Sequence, residues 1–341
     1  MLTRSELPDE TDSIFSFKAL NERSVFLPFH ELSGMSSETM RTLRSGILRG
    51  VLSALVVLGT ALSLGVGYES SVAPSLYDGI AFGGLPGFTR STVRRNYALI
   101  TPESHVFSKN PLIEGGVSAH LVSPAMGASF AMYIARLQVK GRLENPKSPQ
   151  IERFVVCLEG RVDVELRPGG GVEVTKRAVK AGEFAYMPSN ATYTIFNGAS
   201  TQQTTLLVFE RHYQIKGVNP DYRFGVIEEQ EVLPVDPEVF TLRKLMPDTE
   251  EYDFNIHVMD FKPGEHLHVK EVHYNEHGLL LVQGMGIYRL GEDWHPVKAG
   301  DAIWMAPYVP QWYAALGTET SRYILYKDTT VDPVLSRATG P

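Results

Sequence analysis

A pattern of short apolar segments, present twice in this chain, constrains its fold most. From about residue 112, short apolar runs alternate with Gly, Pro and charged turns, and no long stretch shows the 3.6-residue period of an amphipathic helix. The two halves also match locally, because Lys-Ala-Gly-Glu at 180–183 corresponds to Lys-Ala-Gly-Asp at 298–301. Two copies of a β-module of about a hundred residues explain this match and predict an all-β chain. The candidate strands are 131–137, 154–158, 162–166, 183–187 and 205–210 in the first copy and 255–261, 279–282, 287–290, 302–305 and 322–326 in the second.

The part of the chain before the two modules has a different character. Arg41, Arg44 and Arg49 lead into an apolar segment at about 47–67. Basic residues followed by an apolar run are typical of a targeting segment, either a cleaved signal peptide or a signal anchor, and a buried helix is the alternative. The sequence therefore predicts four parts: a poorly ordered extension with this targeting segment at 1–68, an N-terminal arm at 69–111, the first module at 112–215 and the second module at 238–334.

Composition excludes several classes of partner. The formal net charge is −7, and the part that we expect to be globular has no run of Lys and Arg, so it lacks the electrostatic footprint of a nucleic-acid-binding protein. A small polar molecule fits this charge better as a ligand. The only cysteine, Cys157, excludes an internal disulfide, and its apolar surroundings at 154–158 are typical of a buried structural thiol rather than a nucleophile.

Four side chains in the second module are candidate ligands of one divalent cation. Glu271, His273 and His277 lie within seven residues, and Gln311 follows one hairpin later. In an extended segment Glu271 and His273 face the same way, because side chains alternate along a strand. A carboxylate, two imidazoles and an amide without a thiolate favour manganese or iron over structural zinc, and four protein ligands leave positions open for water or substrate.

These residues also carry a resemblance to a known family. In cupins, a first motif with a Gly, a His-x-His pair, a Glu and a closing Gly is followed by a second motif with Gly, Pro and a third His. The sequence resembles this order with a permuted ligand set, and the permutation is similar to that of the (S)-ureidoglycine aminohydrolase family of bicupins. The matching positions are Gly264, Glu271, His273, His277 and Gly284 in the first motif and Gly300, Pro307 and Gln311 in the second, and the similarity extends from about residue 87 to 333.

The resemblance implies a fold and an activity. The fold would be an all-β bicupin with two double-stranded β-helix (jelly-roll) barrels, and the cofactor would be manganese, Mn²⁺. The reaction would release ammonia from (S)-2-ureidoglycine and give (S)-ureidoglycolate, a step of allantoin and purine catabolism. The plant-like form of the family, together with the segment at 47–67, implies the endoplasmic reticulum or secretory pathway.

The family also implies roles for residues beyond the ligand set. Tyr323 and Lys327 would contact the substrate together with Glu271 and Gln311, and Tyr288 is a weaker candidate of the same kind. Glu271 and Lys327 would transfer protons. The residues alone leave two positions open for Lys327, since it could face an anion inside the barrel or end its strand in solvent.

The first module lacks such a ligand set. Tyr193 stands where a metal-binding His would be, and Glu152-Arg153 occurs in its first motif without a histidine. We therefore expect an N-terminal cupin without metal, which covers the edge of the second barrel and helps to build a homo-oligomer.

Two other functions use the same fold. An iron-dependent cupin dioxygenase would usually need three His and one Glu, which Glu271 and Gln311 contradict, and oxygen consumption would identify it. A non-catalytic binding or storage bicupin would lack a complete ligand set in both halves, whereas the second module has one.

Overall fold

The computed structural model describes residues 87–329 except 170, 199–200 and 235. The predicted extension at 1–68 with its targeting segment at 47–67, residues 69–86 of the arm and the last residues of the second module lie outside the described residues. Within the described residues, no helix is both long and apolar enough to cross a membrane.

The described residues form nineteen strands and three 3₁₀ turns. The first eleven strands are β1 (Thr92–Val93), β2 (Tyr97–Ile100), β3 (Ile113–Val122), β4 (Phe130–Leu143), β5 (Ile151–Glu159), β6 (Arg161–Arg167), β7 (Thr175–Lys180), β8 (Glu183–Met187), β9 (Thr192–Phe196), β10 (Thr204–His212) and β11 (Arg223–Val226). The remaining eight are β12 (Thr241–Lys244), β13 (Phe254–Phe261), β14 (His277–Gln283), β15 (Met285–Leu290), β16 (Asp293–Lys298), β17 (Ala302–Met305), β18 (Gln311–Leu316) and β19 (Ser321–Asp328). The 3₁₀ turns are Pro102–Ser104, Pro124–Met126 and Ile227–Glu229.

The strand order confirms the all-β bicupin fold. In the first barrel the neighbours run β8-β5-β10-β4, and in the second they run β17-β14-β19-β13, which is the same order of corresponding strands. The opposite wall is β7-β6-β9 in the first barrel and β16-β15-β18 in the second. Gly160 and Gly284 close equivalent hairpins at φ of 81° and 75°, a region that favours glycine.

Burial patterns distinguish the sheet of the second barrel that has one face in solvent from the sheet that is covered on both faces. β15 alternates between buried and partly exposed residues, as expected for a sheet with one face in solvent. In β13 every residue except Asp260 is buried, so both faces of that strand are covered. The barrels therefore share an apolar layer as well as having cores of their own.

This shared layer packs the outer faces of the two sheets against each other. It contains aromatic side chains from both barrels, among them Phe130, Phe154 and Phe254. The Phe130 ring stacks on Tyr326 with the centroids 4.0 Å apart, and Phe254 stacks on the same ring at 5.3 Å. Aromatic pairs at these distances contribute roughly 0.5–1.5 kcal/mol beyond the area that they bury.

The N-terminal arm adds strands to the second barrel. β2 pairs antiparallel with β17, with Tyr97 opposite Met305, and β1 extends the same sheet by one more strand. The guanidinium of Arg90 donates two hydrogen bonds of 2.8 Å to the buried carboxylate of Asp301. The arm thus covers the edge of the second barrel that β17 would otherwise expose. Among the described strands none of the first module pairs with this sheet, so the expectation that the first module covers its edge is wrong. The first module packs against the face of the sheet instead.

Candidate active site

Two strands and one loop bring the predicted ligands together. His277 begins β14, where it lies opposite Met305 of β17 and Lys327 of β19. Gln311 begins β18 and exchanges two backbone hydrogen bonds with Glu271, at 2.9 and 3.0 Å. Glu271 and His273 do not lie in a regular strand, because the segment forms only this single bridge. The two residues thus lie in the loop between the candidate strands at 255–261 and 279–282, and the bridge anchors this loop to β18.

The side chains of this set converge on Nε2 of His273. That atom lies 3.1 Å from Nε2 of His277, 2.9 Å from Nε2 of Gln311 and 3.7 Å from Oε2 of Glu271. A half-turn of the Gln311 amide would present its oxygen to the same point. The hydroxyl of Tyr288 donates to Gln311 Oε1 at 3.4 Å, and after the half-turn it could accept from the amide nitrogen instead. The sequence-predicted ligands thus meet at one position.

Hydrogen bonding and burial prepare the His277 ring to act as a ligand. Its Nδ1 lies 3.2 Å from the carbonyl oxygen of Tyr326. Because a carbonyl only accepts, Nδ1 carries the hydrogen and the lone pair is on Nε2, which faces His273. Burial, and then the charges of His273 and Lys327, hold the pKa of His277 well below its usual value. The ring is therefore neutral at neutral pH, as metal ligation requires.

The chemistry of the donor set fits a divalent cation. In the described part of the chain, no group of three or more His, Cys, Asp or Glu side chains has the geometry of a metal site as placed. The four converging side chains differ from such a group, because one of them is the amide of Gln311 and because Glu271 keeps a third of its side chain exposed. Two imidazole Nε2 atoms, a carboxylate and an amide around one point nevertheless match the oxygen and nitrogen ligands that manganese or iron prefers.

Lys327 points into the second barrel. Tyr323 and Leu325 on the same face of β19 belong to the core of that barrel, so the alternation of the strand places Lys327 inside as well. Burial lowers the pKa of Lys327, whereas the carboxylate of Glu271 acts in the opposite direction. Its ammonium has no hydrogen bond or ion pair to any residue within the described ranges. In the sheet, Lys327 is paired with His277 of the adjacent strand β14. Of its two possible positions, the structure shows the one inside the barrel.

Tyr288 and Tyr323 line the same interior. Both side chains are buried, and burial raises the pKa of each hydroxyl well above its usual value. They therefore stay protonated and can donate a hydrogen bond to a substrate oxygen.

Sequence reasoning missed His257, which shares this interior. It lies on β13 opposite Leu325, and it alternates with Met259 and Phe261 of the barrel core. Burial, and then the charges of Lys327 and Lys244, lower the pKa of His257 to about 3, so the ring is neutral. Its alternation with inward-facing apolar residues was the signal that could have identified it.

Asp328, next to Lys327, gives a pH-dependent stability that can be tested. Burial raises its pKa to about 6, and its Oδ1 accepts the N–H of Glu276 at 2.6 Å. In the unfolded chain the pKa would be about 3.9. The folded state thus holds a proton that the unfolded state has released, and this contribution to stability is lost as the pH rises from about 4 to 6.

We expect Asp328→Asn to be increasingly stabilising as the pH rises, because Asn keeps the acceptor and cannot ionise. Its gain in unfolding free energy over the parent should grow by about 1 kcal/mol between about pH 5 and pH 8. Urea unfolding of the metal-free proteins at several pH values measures this gain. A gain that stays constant with pH would contradict the assignment.

In the first barrel an ion pair occupies the place of the predicted ligand set. Arg153 lies opposite Met187 and Glu210, as His277 lies opposite Met305 and Lys327. Its fully buried guanidinium donates from Nε to Glu210 Oε1 at 2.6 Å and from Nη1 to the Glu144 carbonyl at 2.8 Å.

Two tyrosines complete this replacement. Tyr193 lies opposite Leu166, as Gln311 lies opposite Leu290, so it stands at the position that corresponds to Gln311. Tyr133 donates its hydroxyl to Glu210 Oε1 at 3.0 Å. A guanidinium, which cannot coordinate a cation, thus occupies the position of His277 in this barrel.

Known proteins resemble this chain over most of its length. A probable (S)-ureidoglycine aminohydrolase from Oryza sativa subsp. japonica is 49% identical over 252 residues, 74% of this chain and 79% of the relative. The (S)-ureidoglycine aminohydrolase of Arabidopsis thaliana is 48% identical over 252 residues, 73% of this chain and 81% of the relative. The crystal structure of a putative glyoxylate-induced protein from Pseudomonas aeruginosa has a TM-score of 0.64 at 26% identity, covering 72% of this chain and 92% of that one.

No family model matches the chain. The similarity to the two plant proteins nevertheless spans about four fifths of their length at nearly half identity. The chain therefore belongs to the (S)-ureidoglycine aminohydrolase family, a family of hydrolases that act on C–N bonds.

Proposed function

We propose that this chain releases ammonia from (S)-2-ureidoglycine by hydrolysis, with Mn²⁺ bound by Glu271, His273, His277 and Gln311. The product would be (S)-ureidoglycolate, in allantoin and purine catabolism. The observation that carries the proposal is the convergence of these four side chains beside the ammonium of Lys327. The names of the plant relatives support the choice of substrate.

The cation would supply electrostatic stabilisation for negative charge that develops on the substrate, and positions at which the substrate can bind. The residues of the chain would do the rest. Tyr323, Tyr288 and Gln311 hold the carboxylate or ureido group in one orientation, because the tyrosines are packed in the barrel core and Tyr288 hydrogen-bonds Gln311. A fixed orientation exposes one face of the reacting carbon and so gives a single stereoisomer.

Two protons have to move in the reaction. Water adds its oxygen to the carbon that carries the amino group, the C–N bond breaks, and the nitrogen leaves as ammonia. We propose that the Glu271 carboxylate takes the proton that the attacking water loses. Lys327 would give a proton to the leaving nitrogen, since its ammonium lies inside the barrel without a fixed acceptor among the described residues.

Metal removal tests the proposal directly. The full chain, stripped with a chelator, should release ammonia from freshly prepared ureidoglycine no faster than the uncatalysed reaction, and added Mn²⁺ should restore release. The restored enzyme should form the S isomer and consume no oxygen. Rapid release by the stripped protein would remove the metal from the proposal. Oxygen uptake would instead favour an iron-dependent dioxygenase, and binding without turnover would favour a binding or storage protein.

Location and assembly are further parts of the proposal. A route through the endoplasmic reticulum or secretory pathway rests on the apolar segment at 47–67 and on the plant-like form of the family. Assembly into a homo-oligomer rests on the first barrel, which we infer to be structural because Arg153 stands in place of a metal ligand.

A further inference from the structure

The first barrel contacts the residue on each side of His277. Before it, the backbone N–H of Ser129 donates to Glu276 Oε2 at 3.0 Å, and the Ser129 hydroxyl donates to the same oxygen. The Glu276 carboxylate also accepts the indole N–H of Trp304 at 2.7 Å. Since Ser129 lies just before β4, a residue of the ligand-free barrel holds the backbone that enters β14.

After His277, the ring of Phe130 lies directly on Gly278. A Cβ at Gly278 would lie only 2.4 Å from Cζ of Phe130, so the ring occupies the space where any other residue would have its side chain. Phe130 is fully buried and follows Ser129 directly in the chain. Two adjacent residues of the first barrel therefore fix the backbone on both sides of His277.

The same ring also supports the acceptor that orients His277. Phe130 stacks on Tyr326 at 4.0 Å, and the carbonyl of Tyr326 accepts the hydrogen on Nδ1 of His277. The hydroxyl of Tyr326 in turn accepts a hydrogen bond of 2.7 Å from Arg211 of the first barrel. The position of that carbonyl decides where Nε2 points, and groups that orient a ligating His strongly influence metal affinity.

We infer that Ser129 and Phe130 are positioning residues for His277, through which the ligand-free first barrel sets the metal affinity of the second. Ser129 holds Glu276, and Phe130 holds both Gly278 and the Tyr326 carbonyl. Together they keep Nε2 directed at His273 and Gln311. This inference rests on the proposed function, because it assumes that the converging side chains bind Mn²⁺.

The experiment measures the Mn²⁺ dissociation constant of metal-stripped full-length protein by calorimetric titration, together with urea unfolding of the same samples. Ser129→Ala removes the hydroxyl, and Ser129→Thr keeps it. Phe130→Leu removes the ring over Gly278. Phe184→Leu is the matched control, since Phe184 is equally buried in the shared layer and stacks on Phe154 rather than on the 276–278 segment.

We expect Ser129→Ala and Phe130→Leu to bind Mn²⁺ about ten- to a hundred-fold more weakly than the parent. Ser129→Thr and Phe184→Leu should bind as the parent does, although Phe184→Leu loses stability. Equal affinity for all the variants overturns the inference, as does a similar weakening in Phe184→Leu. If Phe130→Leu does not fold, the comparison of the Mn²⁺ dissociation constants of Ser129→Ala and Ser129→Thr tests the inference. A parent that binds no Mn²⁺ overturns the proposed function and this inference with it, whereas normal binding by parent and variants overturns the inference alone.

Discussion

Replacing Lys327 by Met should lower kcat by about 10²–10⁴-fold and leave the bound Mn²⁺ in place. This range is the usual contribution of a positioned proton donor or acceptor. Lys327 lies opposite His277 at the start of β14, inside the second barrel, and its ammonium has no acceptor within the described residues. A Met side chain fills a similar volume, so the packing of the barrel should change little.

Ammonia release and metal content should both be measured for Lys327→Met. Lys244→Met is a suitable control, because Lys244 is on β12, which β13 separates from β19 in the same sheet, and its ammonium pairs with Asp248. We expect that control to keep turnover within a few-fold of the parent. Loss of the metal together with turnover would show that Lys327 has a structural role. Full turnover in Lys327→Met would exclude it from proton transfer.

The second large effect concerns the ion pair in the first barrel. Glu210→Met should destabilise the protein by about 3–5 kcal/mol, because it leaves the guanidinium of Arg153 buried without its counter-ion. The double variant Arg153→Met/Glu210→Met should return close to the stability of the parent, since two apolar side chains can replace a buried pair.

Urea unfolding of the parent, the two single variants and the double variant measures the four free energies of unfolding of this double-mutant cycle. Arg153→Met should cost less than Glu210→Met, because the Glu210 side chain keeps 16% of its surface exposed whereas Arg153 has none. A double variant as unstable as Glu210→Met would contradict this account. It would show that the tyrosines around the pair require the charges.

The sequence predicted the fold well because both modules repeat the same local signals. Gly160 and Gly284 mark equivalent hairpins, and the matching segments at 180–183 and 298–301 lie in equivalent places before β8 and β17. These signals act over a few residues, so they are visible without a structure. The shared layer was not predicted, because the apolar faces of β4 and β13 do not indicate which sheet covers them.

The side chains that converge were also identifiable from the sequence, since the spacing puts Glu271, His273 and His277 in one short segment. Two other features of the barrel interiors could not be predicted from the sequence. Arg153 occurs in an apolar run, but its burial depends on Glu210, which is 57 residues away in the chain. His257 becomes a candidate only when β13 and β19 are paired, because that pairing places it beside Leu325.

The strands that the N-terminal arm adds to the second barrel have a consequence for the order of synthesis. Arg90 and Asp301 are separated by 211 residues, so the ribosome makes β1 and β2 before either barrel, and β17, the partner of β2, only after the first barrel and most of the second. Contacts of such long sequence separation form late and slow the search for the native state. Until β17 emerges, the newly made arm remains without its strand partner. A recombinant fragment that starts at the second module would lack both strands, and its β17 edge would be free to pair with another chain.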